Sequence, residues 1–265
     1  MLATTLAGPG LMLPLAAVVT AALFVLTWAE GTRRGDISIV DPVWGPAFVV
    51  VALTGAVAGH GDVGRRWLLL ALTAAWGLRL GVHLARRKIG DPEEDRRYAK
   101  MRTEHEHFAS WSLLYVFGTQ ALFVLVVSLP LQVGANHHAA LGLLALPGVV
   151  LFAVGLAFEA IGDLQLQRFK ADPESRGQVM DRGLWRYTRH PNYFGDACVW
   201  FGLWLVVLPA AGTWWTVLGP VIMTVLLTGV SGKSLLEKDI GGRRPGYDDY
   251  VRRTSGFVPL PPRKP

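Results

Sequence analysis

A chain of 265 residues that is 51% hydrophobic and only 17% charged is too apolar for a soluble domain, which normally carries about a quarter charged residues. Its net charge of +6 gathers in particular gaps between apolar runs, so it excludes a nucleic-acid-binding face and speaks for membrane topology. The single cysteine, Cys198, stands in an apolar stretch, excludes a disulfide framework and reads as a small buried hydrophobe.

Seven apolar runs follow in chain order, at about residues 10–29, 38–58, 67–86, 112–130, 140–167, 192–208 and 213–231. Each is near or beyond the roughly 17–25 residues that cross a bilayer as a helix, and the sixth is the shortest. The first does not read as a cleavable signal peptide, because no basic residue precedes it and six more runs follow. The gaps set the orientation. Arg33 and Arg34 lie in the first and Arg65 and Arg66 in the second, while residues 87–111, 168–190 and the tail after Gly232 are dense in arginine and lysine. The fourth gap, "LQVGANHHAA", and the sixth, "PAAGT", hold neither. Positive charge collects in cytoplasmic loops. The expected fold is therefore all-α: a polytopic membrane protein with seven transmembrane helices, its N-terminus outside and its C-terminus cytoplasmic. It is expected to form a single integral membrane domain over residues 1–265, with a catalytic core at about 36–262 and a basic tail at 232–265.

Ionisable residues inside the runs are few, and such residues are costly in a bilayer unless they face a cavity or a partner. Asp41 opens the second run, and Arg79 lies in the third. Glu159 and Asp163 sit one helical turn apart in the fifth, a spacing that Asn192 and Asp196 repeat in the sixth. With this orientation all of them fall in the cytoplasmic half, which implies a polar pocket opening to the cytoplasm. For any one of them, simple ion pairing within the bundle is the competing reading. In "WRYTRHPNYFGD" (185–196), Pro191 suits the first turn of a helix, where its missing N–H has no partner anyway. Arg189 and His190 then stand at a helix start that favours anions, with Asn192 and Asp196 one turn deeper. A phosphate at the mouth with a polar ring below it fits this pattern; lipid head groups are the alternative.

Three short motifs carry no function on this reading. "GHGDVG" (59–64) matches the dinucleotide fingerprint but lacks the preceding strand, and "GKS" (232–234) lacks the upstream glycine of a phosphate loop. "EHEH" (104–107) has metal-binding residue types, but His105 and His107 in a charged loop read as solvated, so no metal site is expected.

The stretch "DRGLWRYTRHPNYFGDACVWFGLWL" (181–205) resembles the steroid 5-alpha-reductase superfamily, especially its bacterial branch. The likeness extends to "SIVDPVWG" (38–45), "WGLRL" (76–80), "EDRRYAKMR" (94–102), "GDLQLQRFK" (162–170) and the tail "EKDIGGRRPGYDDYVRRTSGFVPLPP" (237–262). The resemblance implies an NADPH-dependent reductase, multi-pass in the bacterial cell (inner) membrane, with its active site facing the cytoplasm. It would pass hydride to a carbon–carbon double bond of a lipid-like enone, sterol or isoprenoid that enters from the bilayer. Implied cofactor contacts are Asn192 and Asp196, Asp163 and Lys170, Arg79, and the tail tyrosines Tyr247 and Tyr250. Arg97 and Tyr98 of "EDRRYAKMR", together with Arg189, His190, Tyr193 and Glu237, complete that set. Steroid reductases polarise a ketone with a glutamate on helix two and a tyrosine on helix three. Here Trp76 stands where the tyrosine belongs, and Asp41 takes the acid's place as the candidate proton source. The catalytic pair is thus Asp41 and Trp76, and the departure separates the retained cofactor site from any steroid substrate. Besides the substrate and membrane lipids no partner is implied, and the oligomeric state is left open, a monomer included.

A second family shares part of the pattern. "RHP-x-Y-x-G" followed by Glu237 and a Gly-x-x-x-Tyr tail is similar to isoprenylcysteine and phospholipid methyltransferases, which bind S-adenosylmethionine. Asn192, Asp196 and the seven-run length favour the reductase. A non-catalytic channel would spread its polar residues through both leaflets, which the clustering at one end argues against.

Overall fold

Helix occupies every one of the seven apolar runs in the structure, a computed structural model that describes residues 11–91, 93–143, 145–230 and 244–263. Among the described residues, five segments are long and apolar enough to cross a membrane. They are α1 (Met12–Arg34), the 3₁₀ turn Ile37–Ile39 running into α2 (Val40–Ala58), α3 (Val63–Gly90), the composite Phe108–Val127, and α8 (Ala145–Ala171). The composite joins α5 (Phe108–Ser112) to α6 (Thr119–Val127) through a π-helical turn at Leu113–Gly118. Two runs form shorter helices. One is α9 (Pro191–Val207, 17 residues). The other, Trp214–Gly229, is a 3₁₀ turn followed by α10 (Leu218–Val225) and a π-helical end. Among the described residues, further α-helices lie between or after these: α4 (Arg96–Glu104), α7 (Leu129–Gly134) and α11 (Tyr247–Arg253). No strand occurs among the described residues, only an isolated parallel bridge between Thr188 and Ser255.

Local chemistry sets the helix ends. Gly35 adopts φ 70°, and its N–H and that of Asp36 return to the carbonyls of Thr32 and Gly31, which stops α1. Asp62 then caps α3 by accepting from the Arg65 N–H at 2.8 Å, and Asp95 caps α4 by accepting from the Arg97 N–H at 2.9 Å.

The described chain divides into two compact units: residues 1–145 with 206–218, and residues 146–205 with 219–265. In the first unit α2 and α3 pack along a seam of small residues. A Cβ added at Gly77 would lie 2.6 Å from the Gly45 carbonyl oxygen, and one at Gly81 would lie 2.8 Å from the Pro46 ring. In the second unit α8 and α9 use the same device. A Cβ at Gly195 would lie 2.5 Å from the Gly155 carbonyl oxygen, and one at Gly202 would lie 2.6 Å from the Phe152 nitrogen. Helices in lipid gain little from apolar burial against each other, so close backbone approach and dispersion hold such seams together. Many outward residues, among them Val18, Leu26, Val57 and Leu146, remain exposed and apolar, as lipid-facing surfaces require.

Candidate functional site

The residues expected from the sequence to act fall into two clusters, one within each unit. In the first unit Asp41 sits in the first turn of α2, and the segment "EDRRYAKMR" folds onto it as α4. Asp41 accepts on both oxygens: from the Tyr98 hydroxyl at 2.8 Å and from Arg97 Nη2 at 2.9 Å. Arg97 is held in turn by Asp95, which accepts from its Nε at 2.9 Å. Burial, and after it the Asp41 carboxylate, push the Tyr98 hydroxyl well above the ordinary tyrosine range, with Arg97 opposing only in part. For Arg97, burial acts downward, but the hydrogen bond to Asp95 and the charges of Asp41 and Asp95 raise the guanidinium above its usual value. The hydroxyl therefore keeps its proton at neutral pH.

Two more pairs of charged residues brace the elbow between α1 and α2, one from the α4 segment and one from α3. Glu94 accepts from Arg102 at 2.7 Å and from the Ile37 N–H at 3.0 Å, and Arg102 also donates to the Gly35 carbonyl at 3.1 Å. Asp36 pairs with Lys88 at 2.7 Å. Sequence reasoning singled out neither pair. Both link residues more than 50 positions apart or across a turn, and only the opposite charges of the loops hinted at them. Trp76 is fully buried on α3 in an edge-on stack with Phe48, ring centroids 5.6 Å apart. Arg79 lies three residues further along α3 and is part-buried.

The second cluster surrounds the start of α9. Pro191 occupies its first position, and Gly162 of α8 lets the turn approach closely, since a Cβ there would meet the Pro191 ring at 3.1 Å and the Asn192 nitrogen at 3.3 Å. The Asn192 amide donates to Asp163 of α8 at 3.2 Å. Asp196, one turn on, is buried, as is Glu159 on α8. The His190 ring stacks on Tyr193, centroids 5.1 Å apart and planes 4° off parallel. Lys170 is exposed near the end of α8.

Arg189, read from sequence as a phosphate ligand, is buried and donates through Nη1 to the carbonyls of Thr254 at 2.7 Å and Val251 at 3.1 Å. It thereby ties the end of α11 to the α9 entrance, a favourable place for a cation beside free carbonyls. Thr188 donates to the Phe257 carbonyl at 2.7 Å, and the Leu260 N–H donates to that of Tyr187 at 3.0 Å. Of the tail tyrosines, Tyr250 donates to the Trp185 carbonyl at 2.6 Å, and Tyr247 lies 6.0 Å from it, ring to ring. The Trp185 indole donates onward to the Gly162 carbonyl at 3.0 Å. The tail is thus built into the helix entrance that carries Asn192. Trp185 and Thr188 lay within a quoted motif, yet their bonds to α8 and the tail depend on long-range contacts that the motif does not encode. Glu237 lies outside the described residues.

The polar chemistry of the second cluster suits a cofactor with amide and hydroxyl groups: an amide, two carboxylates and a histidine meet at one helix start. A family model described as "Protein of unknown function (DUF1295)" matches residues 27–254. A stretch of 46 residues is 39% identical to a protein from Ustilaginoidea virens named "Probable O-methyltransferase ustE". That match spans 17% of this chain and 16% of the relative's length. No solved structure matches.

Proposed function

From the chain's membership of the DUF1295 family, a steroid 5-alpha-reductase-like group, we propose that it is a membrane-embedded, NADPH-dependent reductase of a lipid-like alkene. On this reading seven helices cross the bacterial inner membrane, with the N-terminus outside and both clusters on the cytoplasmic side. The observation that carries it is the Asn192–Asp163 bond, which joins two residues that the family resemblance makes cofactor contacts on separate helices.

NADPH, when bound, supplies the hydride. Asn192, Asp163 and Asp196 would hold its amide and hydroxyl groups, and Lys170, on the same unit, would offer positive charge to its phosphates. The Arg189 guanidinium acts through the backbone it holds, fixing α11 and with it Tyr247 and Tyr250. Hydride addition to an electron-poor carbon leaves negative charge that a proton must quench. On this reading Asp41 would take that proton up from water and pass it on, while Tyr98 and Arg97, each bonded to one of its oxygens, hold the carboxyl in place.

The short likeness to a probable O-methyltransferase favours a second reading, transfer of a methyl group from S-adenosylmethionine. Calorimetric titration of the purified chain with NADPH and with S-adenosylmethionine separates the two. Binding of NADPH together with substrate-dependent NADPH oxidation supports the reductase, and binding of S-adenosylmethionine alone overturns it.

A further inference from the structure

The "EHEH" segment, which the reductase does not use, lines an open groove at the start of the Phe108–Val127 helix. Glu104 and Glu106 are among its polar lining residues, and Trp111, Leu114 and Tyr115 among its apolar and aromatic ones. The two glutamates belong to the segment before Phe108 and the apolar and aromatic residues to the first turns of a membrane-length helix, so the groove straddles the level at which head groups meet acyl chains. Trp111 is the platform. Its ring stacks against His105 at 3.9 Å and against Tyr115 at 5.1 Å. Leu114 and Tyr115 are 64% and 58% exposed, and both lie on the π-helical turn, a distortion often found at functional positions.

The charges around the groove select the occupant. Glu106 makes no ion pair with any described residue, and Glu104 has only a loose surface contact with Lys100 at 3.7 Å. The nearby cation Arg102 is already committed, lying 4.4 Å from the Phe108 ring centroid and bonded to Glu94. Glu106, with no ion pair among the described residues, and Glu104, held only loosely, attract an ammonium group beside the aromatic stack, while the exposed leucine and tyrosine suit an acyl chain.

We propose that this groove binds a phospholipid with a primary-ammonium head group, its ammonium between the Glu104 and Glu106 carboxylates and the Trp111–Tyr115 stack. The site is separate from both clusters assigned to the reductase and does not depend on that activity.

The test uses the full chain reconstituted into nanodiscs of equal phosphatidylethanolamine and phosphatidylglycerol, with retained lipids counted by native mass spectrometry. The wild type should retain phosphatidylethanolamine in about fivefold excess. Trp111→Leu, and separately Glu104→Gln with Glu106→Gln, should bring the ratio to about one. The two glutamates are exposed, so the double substitution carries the test even where Trp111→Leu unfolds the protein. Equal retention of the two lipids by the wild type overturns the proposal, as does an excess that survives the Glu104→Gln and Glu106→Gln substitutions.

Discussion

Replacing Gly77 with alanine probes the seam that holds Trp76 against Phe48 of α2. A Cβ there would lie 2.6 Å from the Gly45 carbonyl oxygen and 2.8 Å from Val49 Cγ2. Ordinary contact begins near 3.4 Å, so the two helices must part by about 0.8 Å, which forfeits a quarter to a half of each affected dispersion contact. Overpacking of this kind costs about 1–3 kcal/mol, against about 1 kcal/mol gained from alanine's better helix propensity. The expected net loss is about 1 kcal/mol. Gly90→Ala is the control: an added Cβ there meets nothing within 4 Å, and at the last residue of α3 little of the propensity gain is realised, so stability should change by less than about 0.5 kcal/mol. Thermal unfolding of the two purified variants in the same detergent, followed by tryptophan fluorescence, reads the difference. A Gly77→Ala protein that melts at or above the wild-type temperature, with Gly90→Ala unchanged, refutes the account of the seam.

Asp41→Asn should lower turnover by about 100-fold or more while leaving NADPH affinity within about threefold, measured by stopped-flow oxidation and by calorimetry. Asn192→Ala, which removes the bond to Asp163, should weaken NADPH binding about tenfold with little change in melting temperature. Arg189→Ala strips two carbonyls of their donor, so α11 should be lost to trypsin several times faster than in the wild type, at a cost of about 2 kcal/mol. The attachment of α4 and of the α1–α2 elbow should depend on acid. For Asp36, burial acts upward, but Lys88 and Ser38 outweigh it and hold the carboxyl below its usual value; for Asp95, burial is likewise outweighed by Arg97. Carboxyls with lowered values stabilise the fold above the unfolded-state value, and that stability is lost as pH falls further. Hydrogen-exchange protection of α4 and of the α1–α2 elbow should accordingly hold at pH 5–7 and decline below about pH 4; protection of both unchanged at pH 3 would refute these pairs as their fastening.

The chain alone determined the helical class and the placement of its segments, because lipid leaves a backbone few ways to satisfy its own hydrogen bonds and long apolar runs declare themselves. It also determined helix ends such as Gly35 and Pro191, where a single residue's stereochemistry decides the turn. Asp41, Asn192, Asp163 and Asp196 stood out because a polar or charged group in an apolar run is costly wherever the run packs. Their partners were not legible. Tyr98 and Arg97 lie more than 50 residues from Asp41, and nothing in the spacing of "EDRRYAKMR" aims those two side chains at it. Arg189 shows the same limit from the other side: beside a helix start its charge suits a phosphate, yet folding brings the carbonyls of Val251 and Thr254 within its reach. Local sequence sets what each residue can bond to, whereas tertiary structure decides which of the competing partners arrives, since a buried donor takes whichever acceptor the packing puts within about 3 Å.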